Sequence, residues 1–352
     1  MRNKTMKSGN RGRSVTIVDV ARAAGVSVPT VSRTLNDKDD VSDETRQRVH
    51  EAIRTLGYAP HAHARRLRGG ASMTLALHHP IESPHELSSV IETPYITGAA
   101  AAASEREYFL NFLVSQLTPE SLLNMYRSNQ IDGIILLQVR MDDWRVNLLR
   151  DNNYPFILIG RCADLSDLSF IDLDFDNAML RAFEHLSALG HHNIGLLTYP
   201  DSWHKAGIGP AVRSLEGYRH ALKEYGLRSY YREIGLNSVE EGFEGTTDLL
   251  RENPDLTAII TVSHLTAAGS IKALASQGRN VPQDCSVMAI GFGGSFADVV
   301  TPSLTTLEWS PYDVSYQATL LMTDNLAKED SPPRQILVTP TLVVRESTKA
   351  VT

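Results

Sequence analysis

Apolar positions near the start of the chain fall at helical spacing. Ile17, Val20 and Ala24 share one face, and Gly25 interrupts the pattern where that helix would otherwise continue. Ser27 stands where its oxygen can cap a second helix near Thr30, and Pro29, which lacks an N–H, is tolerated in a first turn whose amides have no helical partners. Val31 and Leu35 give this second helix a buried side, and its other side carries Val28, Pro29, Ser32, Arg33 and Asn36. A polar turn over 36–41 follows. Ser42 then caps a third helix whose apolar stripe is Val49, Ile53 and Leu56 and whose end is Gly57. Within 58–72, Pro60 starts a short helix running through His61 to Arg68 and ending at Gly69–Gly70. A helix this short is marginal alone in water, so it forms only against a partner surface and reads as a hinge.

From Met73 onward short apolar strands alternate with amphipathic helices. The strands are predicted at Thr74–His78, Gly133–Leu137, Phe156–Ile159, Ile194–Thr198, Ala258–Val262, Ser286–Ile290 and Gln335–Val338. The helices between them are predicted near Glu86–Glu107, Pro119–Asn129, Asp142–Asp151, Asp176–Leu189, Pro210–Tyr225, Ser238–Glu252, Leu265–Gln277 and Tyr312–Ala327. Gly98 with Ala99–Ala103 reads as a helix packed closely on a sheet. Strand then helix, repeated, implies parallel sheets covered on both faces, and the length implies two lobes with a ligand cleft between them.

Charge changes the picture. Residues 1–68 hold fourteen Lys and Arg against seven Asp and Glu, a net of +7, which leaves −14 for the rest of a 352-residue chain whose total is −7. A basic head on an acidic body is the footprint of nucleic-acid binding confined to one end. The first fourteen residues, without periodicity, read as a disordered basic tail. No apolar run approaches a membrane span and the basic start has no signal-peptide core, so the expected compartment is the cytoplasm. Cys162 and Cys285 read as packing thiols.

Catalytic and metal chemistry find no support in the spacing. The adjacent pairs His78–His79 and His191–His192 point to opposite faces of a strand, and His61 and His63 lie at the wrong helical spacing to converge on a metal. Asp172-x-Asp174-x-Asp176 lacks the Gly and terminal Glu of a calcium loop and reads as a strand end meeting a helix cap. There is no phosphate-cradling glycine loop and no arguable Ser-His-Asp set, so neither an enzyme nor a cofactor is expected.

The segments Thr16–Ala21, Ala24–Ser27, Thr30–Arg33 and Asn36, continued by Val41-Ser42, Thr45-Arg46, Leu56-Gly57-Tyr58 and Ala64–Leu67, resemble the signature of the lac-repressor (LacI/GalR) family of bacterial transcription regulators. Later pieces, including Leu189-Gly190-His191, Glu216-Gly217-Tyr218 and Val281–Val287, resemble it in the same order. The resemblance implies an all-α helix-turn-helix DNA-binding head (15–58) with a hinge helix and linker (59–72). Joined to it is a two-lobe, doubly wound α/β effector and dimerisation domain like the periplasmic binding proteins (73–345), followed by a tail at 346–352. Lobe one is expected from about 73–172 plus 292–309, and lobe two from about 173–291 plus 310–345.

By position Val28, Pro29 and Arg33 match the family's base-reading residues, and Thr16, Ser27, Thr30, Ser32 and Asn36 its phosphate contacts. Ala64 and Leu67 match the hinge positions of the minor groove, where Leu67 either wedges between base pairs or covers a domain interface. The partners implied are an operator duplex read by a homodimer and a small-molecule effector, with a transport-type solute-binding protein as the alternative. In the cleft, Ser214, Asn237 and His264 stand where sugar-sensing members carry Arg, an aromatic and Asp. Either the effector differs from the family's usual sugars or other groups hold it, the candidates being Arg161, Trp203, His204, Arg213 and Trp309 beside Ser214, Asn237 and His264, and effector binding is expected to be pH-sensitive around the pKa of His264.

Overall fold

The computed structural model describes residues 15–35, 41–58, 71–80, 89–235, 238–292, 295–328 and 331–351. The chain divides into two compact units between Ser72 and Met73.

The smaller unit holds α1 (Ile17–Ala24), α2 (Val28–Leu35) and α3 (Asp43–Leu56). Asp19 and Thr16 close a capping box on α1, and Ser42 Oγ accepts the Thr45 N–H at the start of α3. Gly25 and Gly57 end α1 and α3 at φ of 65° and 62°, the left-handed conformation a side chain disfavours. Val20, Ala24, Val31, Val49 and Ala52 close the core of the unit, with Tyr58. The expected stripe is present with one change: Leu35 is only half-buried, and Thr34 takes the inner place, its hydroxyl donating to the Thr30 carbonyl at 3.0 Å. The polar turn and the hinge helix fall mostly outside the described residues.

The larger unit carries two six-stranded sheets among the described residues. The first is built of β1 (Thr74–His78), β2 (Phe109–Leu113), β3 (Gly133–Leu136), β4 (Phe156–Ile159), β5 (Phe170–Leu173) and β11 (Gln335–Val338). Its order is β11-β5-β4-β3-β1-β2 with every pair parallel. The second contains β6 (Ile194–Thr198), β7 (Tyr231–Glu233), β8 (Ala258–Thr261), β9 (Ser286–Phe292), β10 (Thr305–Trp309) and β12 (Thr341–Val343). Its order is β12-β10-β9-β8-β6-β7, with only β12 antiparallel.

Helices cover both faces of each sheet. In the first lobe Ala76, Ile134, Leu158 and Phe170 enter one core while Leu75, Ile135, Ile157 and Ile171 enter the other. Successive side chains on opposite faces are thus both buried, which explains the continuous apolar runs that made these strands legible. α4 (Ser89–Glu105), α5 (Pro119–Arg127), α6 (Trp144–Asp151) and α13 (Pro311–Ala327) belong to this lobe. α7 (Phe175–Ala188), α8 (Asp201–Lys205), α9 (Gly209–Tyr225), α10 (Val239–Glu252), α11 (His264–Ser276) and α12 (Ser295–Val299) belong to the second.

Two expectations need correction. The later crossovers are the reverse of those expected: β10 pairs with β9 in lobe two, whereas α13 packs Val314, Ala318 and Met322 into lobe one, which also takes β11. The chain therefore crosses after Leu173, after Trp309 and between Val338 and Thr341. Residues 346–351 are no tail. Ser347 is fully buried, its hydroxyl donating to the Val287 carbonyl and accepting the Thr305 N–H, and the Val351 N–H donates to the Leu189 carbonyl. The helix with Gly98 and Ala99–Ala103 does pack on the sheet, Ala99 entering the core of Leu75 and Ile135, and Gly98 also brings α4 close to α13, since a Cβ there would lie 2.2 Å from the Tyr312 carbonyl oxygen. No helix among the described residues is long and apolar enough to cross a membrane.

Candidate DNA interface and effector cleft

On α2, Val31 and Thr34 face the core and Pro29 and Arg33 lie one turn apart on the exposed side, with Ser32 half-buried between them. Val28 was expected on the reading face. Its position three residues before Val31 turns it partly inward, and it packs against the head core. The outward strip is therefore narrower than the sequence implied, and its one cation is Arg33.

Hydroxyl bookkeeping decides which side chains can donate to a phosphate, because phosphate oxygens only accept. Thr16 spends both its donors on Asp19 Oδ2, the N–H at 2.9 Å and the hydroxyl at 2.7 Å. Thr16→Ala is accordingly expected to lower the stability of the head by about 1 kcal/mol, read as a shift of its denaturant midpoint. An unchanged midpoint combined with weaker duplex binding would return that hydroxyl to the phosphate. Ser27 and Thr30 share a single hydrogen bond of 2.8 Å between their hydroxyls, while Ser27 Oγ also accepts the Thr30 N–H at 3.3 Å. One proton serves that hydroxyl pair, so the other stays available to an acceptor outside the head. Asn36, Ala64 and Leu67 lie outside the described residues.

In the larger unit the lobes meet along the carboxyl ends of lobe-one strands. The Gly209 N–H donates to the Val139 carbonyl at 2.8 Å and the Met141 N–H to the Gly207 carbonyl at 2.7 Å, closing a bridge between Arg140 and Ile208. A side chain at 209 would crowd the seam, since a Cβ there would lie 2.8 Å from Arg213 Nη1 and 3.0 Å from the Val139 carbonyl oxygen. The loop that reaches across is held from behind. Asp143 Oδ1 caps α6 by accepting the Arg145 N–H, and its Oδ2 accepts the Arg140 N–H. Arg145 Nη2 pairs with Asp143 at 2.6 Å, and its remaining donors reach His78 Nδ1 and the carbonyls of Leu137 and Gln138. All three side chains are buried. Burial alone would raise the Asp143 carboxyl, yet the hydrogen bonds and charge of Arg145 hold it below its usual range. Burial and then the Arg145 charge push His78 down to about 4, keeping it neutral.

The candidate effector groups separate into two kinds. Ser214 is fully buried, its hydroxyl donating to the Ala211 carbonyl at 3.0 Å and facing Thr198 Oγ1, so a short side chain stays inside lobe two where an arginine would have reached out. His264 packs over Gly291, where a Cβ would lie 2.3 Å from its ring, and edge-on to Phe296. Burial pushes it down to about 4, against the pull of Glu308, so it stays neutral through the physiological range. Any pH sensitivity that His264 lends the cleft is thereby displaced to about pH 4. Trp309 joins the cores of both lobes at the crossover and meets Tyr95 edge-to-face at 6.1 Å, a packing role. Asn237 lies outside the described residues.

Arg161, Arg213 and Trp203 do converge. Arg213 reaches from α9 into lobe one, where its Nη2 donates to the Cys162 carbonyl at 3.1 Å. Arg161 Nε lies 3.1 Å from Asp172 Oδ2, an ion pair without hydrogen-bond geometry. Asp172 is pushed up to about 6 because burial outweighs the attraction of Arg213 and Arg161. Burial and then the Asp172 charge raise the Tyr199 phenol, and Trp203 stacks on Tyr199 at 5.5 Å between ring centres. Asp172 and Tyr199 escaped the sequence reading: the first looked like a strand end, which it is, and the second like the end of an apolar run. His204, on the same short helix as Trp203, points toward Glu233 at 4.0 Å.

The helical head and the two-sheet body together define a ligand-responsive DNA-binding regulator. Residues 16–61 match the family model described as bacterial regulatory proteins, lacI family, and residues 183–348 match a periplasmic binding protein-like domain. The chain is 30% identical over 346 residues to catabolite control protein A of Priestia megaterium, spanning 96% of this chain and 100% of the relative. A solved complex of the transcriptional regulator CelR with cellobiose covers 95% of this chain and 99% of its own at a TM-score of 0.68 and 26% identity. A lac repressor dimer bound to operator and an anti-inducer, at 24% identity, shares the fold with a TM-score of 0.81 over 96% of this chain and 100% of its own. The chain belongs to the lacI family of bacterial regulatory proteins and is a DNA-binding transcriptional regulator.

Proposed function

We propose that the chain represses transcription in the cytoplasm as a homodimer whose paired α2 helices read the two half-sites of a pseudo-palindromic operator. Arg33 is the base-reading donor, with Pro29 and the edge of Val28 offering apolar contact, and Ser27, Thr30, Ser32 and Asn36 positioning the helix on phosphates. Ala64 and Leu67 meet the central minor groove. The observation that carries this reading is the exposed Pro29–Arg33 strip on a helix whose opposite side closes a basic head. A small molecule, a sugar or sugar derivative, binds between the lobes. It controls the repressor through its different affinity for the two lobe arrangements.

Selection from randomised duplexes with the full chain tests the DNA side. The expected product is an inverted repeat with two equal half-sites, and enrichment of a single half-site or of no sequence sinks the reading. Arg161, Arg213, Asp172, Tyr199 and Trp203 are the groups that support the effector side, because they bring paired charges and an aromatic face to one seam.

A further inference from the structure

The seam between the lobes holds a buried guanidinium donor that the described residues leave without an acceptor. Arg213 is more than nine-tenths buried, and while its Nη2 donates to the Cys162 carbonyl, its Nη1 has no hydrogen-bond partner among the described residues. A buried guanidinium N–H without a partner is rare, since desolvating it costs free energy that only a new acceptor returns. Next to it Arg161 is engaged with Asp172 as an ion pair whose N–H is not aligned for a hydrogen bond. Both guanidiniums flank the Asp172 carboxylate, and Glu216 also faces Arg213, so what is left unmet at the seam between the lobes is an aligned acceptor for the buried Arg213 Nη1.

We propose that the effector carries an anionic oxygen group, a carboxylate or a phosphate, gripped by the Arg213 and Arg161 guanidiniums, with its remaining body against the Tyr199–Trp203 stack. The proposal rests on the reading of this cleft as the effector site. Arg213, one position before Ser214, reaches into lobe one, whereas Ser214 stays inside lobe two. Guanidinium forks match carboxylate and phosphate geometry, and charge-assisted hydrogen bonds are the strong ones.

Asp172 gives the site a sign. It is faced by Arg161 beyond β4, by Arg213 on α9, by Asp174 at the start of α7 and by Tyr199 beyond β6. Its folded pKa stands near 6, so it repels an incoming anion above that pH and becomes neutral below it. The affinity for a carboxylate, whose own charge is constant in this range, therefore rises as pH falls through about 6, whereas a phosphate monoester loses its second charge over the same range.

Calorimetry on the full chain tests this with D-glucuronate, D-glucose 6-phosphate, D-glucose and inorganic phosphate, the first two separating carboxylate from phosphate. The expected result is binding of at least one anionic sugar and none of glucose. That affinity should fall about tenfold or more in Arg213→Met, partly recover in Arg213→Lys, and rise roughly tenfold in Asp172→Asn, where the pH dependence of glucuronate binding should be gone. A gain of affinity in Asp172→Asn cannot come from a misfolded cleft. Glucose binding as tightly as the anions, full affinity in Arg213→Met, or no response to either anionic sugar overturns the proposal. Release of the operator by glucose in both wild type and Arg213→Met would sink the anionic effector while leaving the effector-controlled repressor standing.

Discussion

Asp143→Ala is expected to lower the unfolding free energy by about 3–5 kcal/mol, the cost of stranding a buried charge by removing its partner. Arg145 would keep its donors to His78 and to the Leu137 and Gln138 carbonyls but lose the only carboxylate paired with it among the described residues. The N–H groups of Arg140 and Arg145 would lose their acceptor as well. Denaturant unfolding of the larger unit measures the effect, and a loss below about 1 kcal/mol counts against the account. Asp143→Ala combined with Arg145→Met separates the causes. Removing the stranded cation should return part of the lost stability, because an apolar side chain of similar length has no charge to desolvate. The same substitution reaches function, since Asp143 fixes the Arg140 backbone from which the bridge to Ile208 is built. Asp143→Ala should therefore weaken the coupling between effector and operator more than it weakens binding of either.

The elements most legible in the sequence were those whose burial is two-sided. Ile134, Ile135 and Leu136 alternate between two cores, so β3 appears as an unbroken apolar run. β10 offered no such run: Thr305, Thr306 and Glu308 interleave with Leu307 and Trp309, and their polar atoms are used by Ser347, Thr348 and Arg345. Those partners lie some forty positions later, which is why both the strand and the true crossover after it escaped detection. β7 and β12 are only three residues long, and β2, though apolar at four of its five positions, is an edge strand no position of which is fully buried. The head was readable almost to the residue because caps and breakers are local: Thr16, Gly25, Ser42 and Gly57 each act within one turn.

The cleft was readable in part. Departures at Ser214 and His264 were visible in the sequence, and the structure gives both a packing role within lobe two. What replaced them was not visible. Arg161, Asp172, Tyr199 and Arg213 come from four separate segments, and only the crossing of the chain between lobes brings their charges together. The value of Arg213 in particular depends on the carbonyl of Cys162, a backbone group that no residue pattern announces.

Arg33→Ala is expected to remove about 1–3 kcal/mol of discrimination at one base pair in each half-site. Among the described residues of the reading face, no other group presents two parallel donors. Pro29 has no donor, Val28 is turned partly into the core, and the Ser27–Thr30 pair has a single spare hydroxyl proton suited to a phosphate. Arg33 lies one turn beyond Pro29 on the exposed side, and a guanidinium can present two parallel donors to a guanine edge. Competition between the selected operator and duplexes substituted one base pair at a time, all at one salt concentration, reads the effect directly. The variant should lose its preference at that base pair and keep it elsewhere. Arg33→Lys distinguishes charge from shape: it retains the cation but not the fork, so it should hold affinity for unrelated duplexes while discriminating less. A uniform loss across all duplexes, with the preference profile intact, would make Arg33 a phosphate contact and leave the half-site to be read through its deformability rather than its base edges.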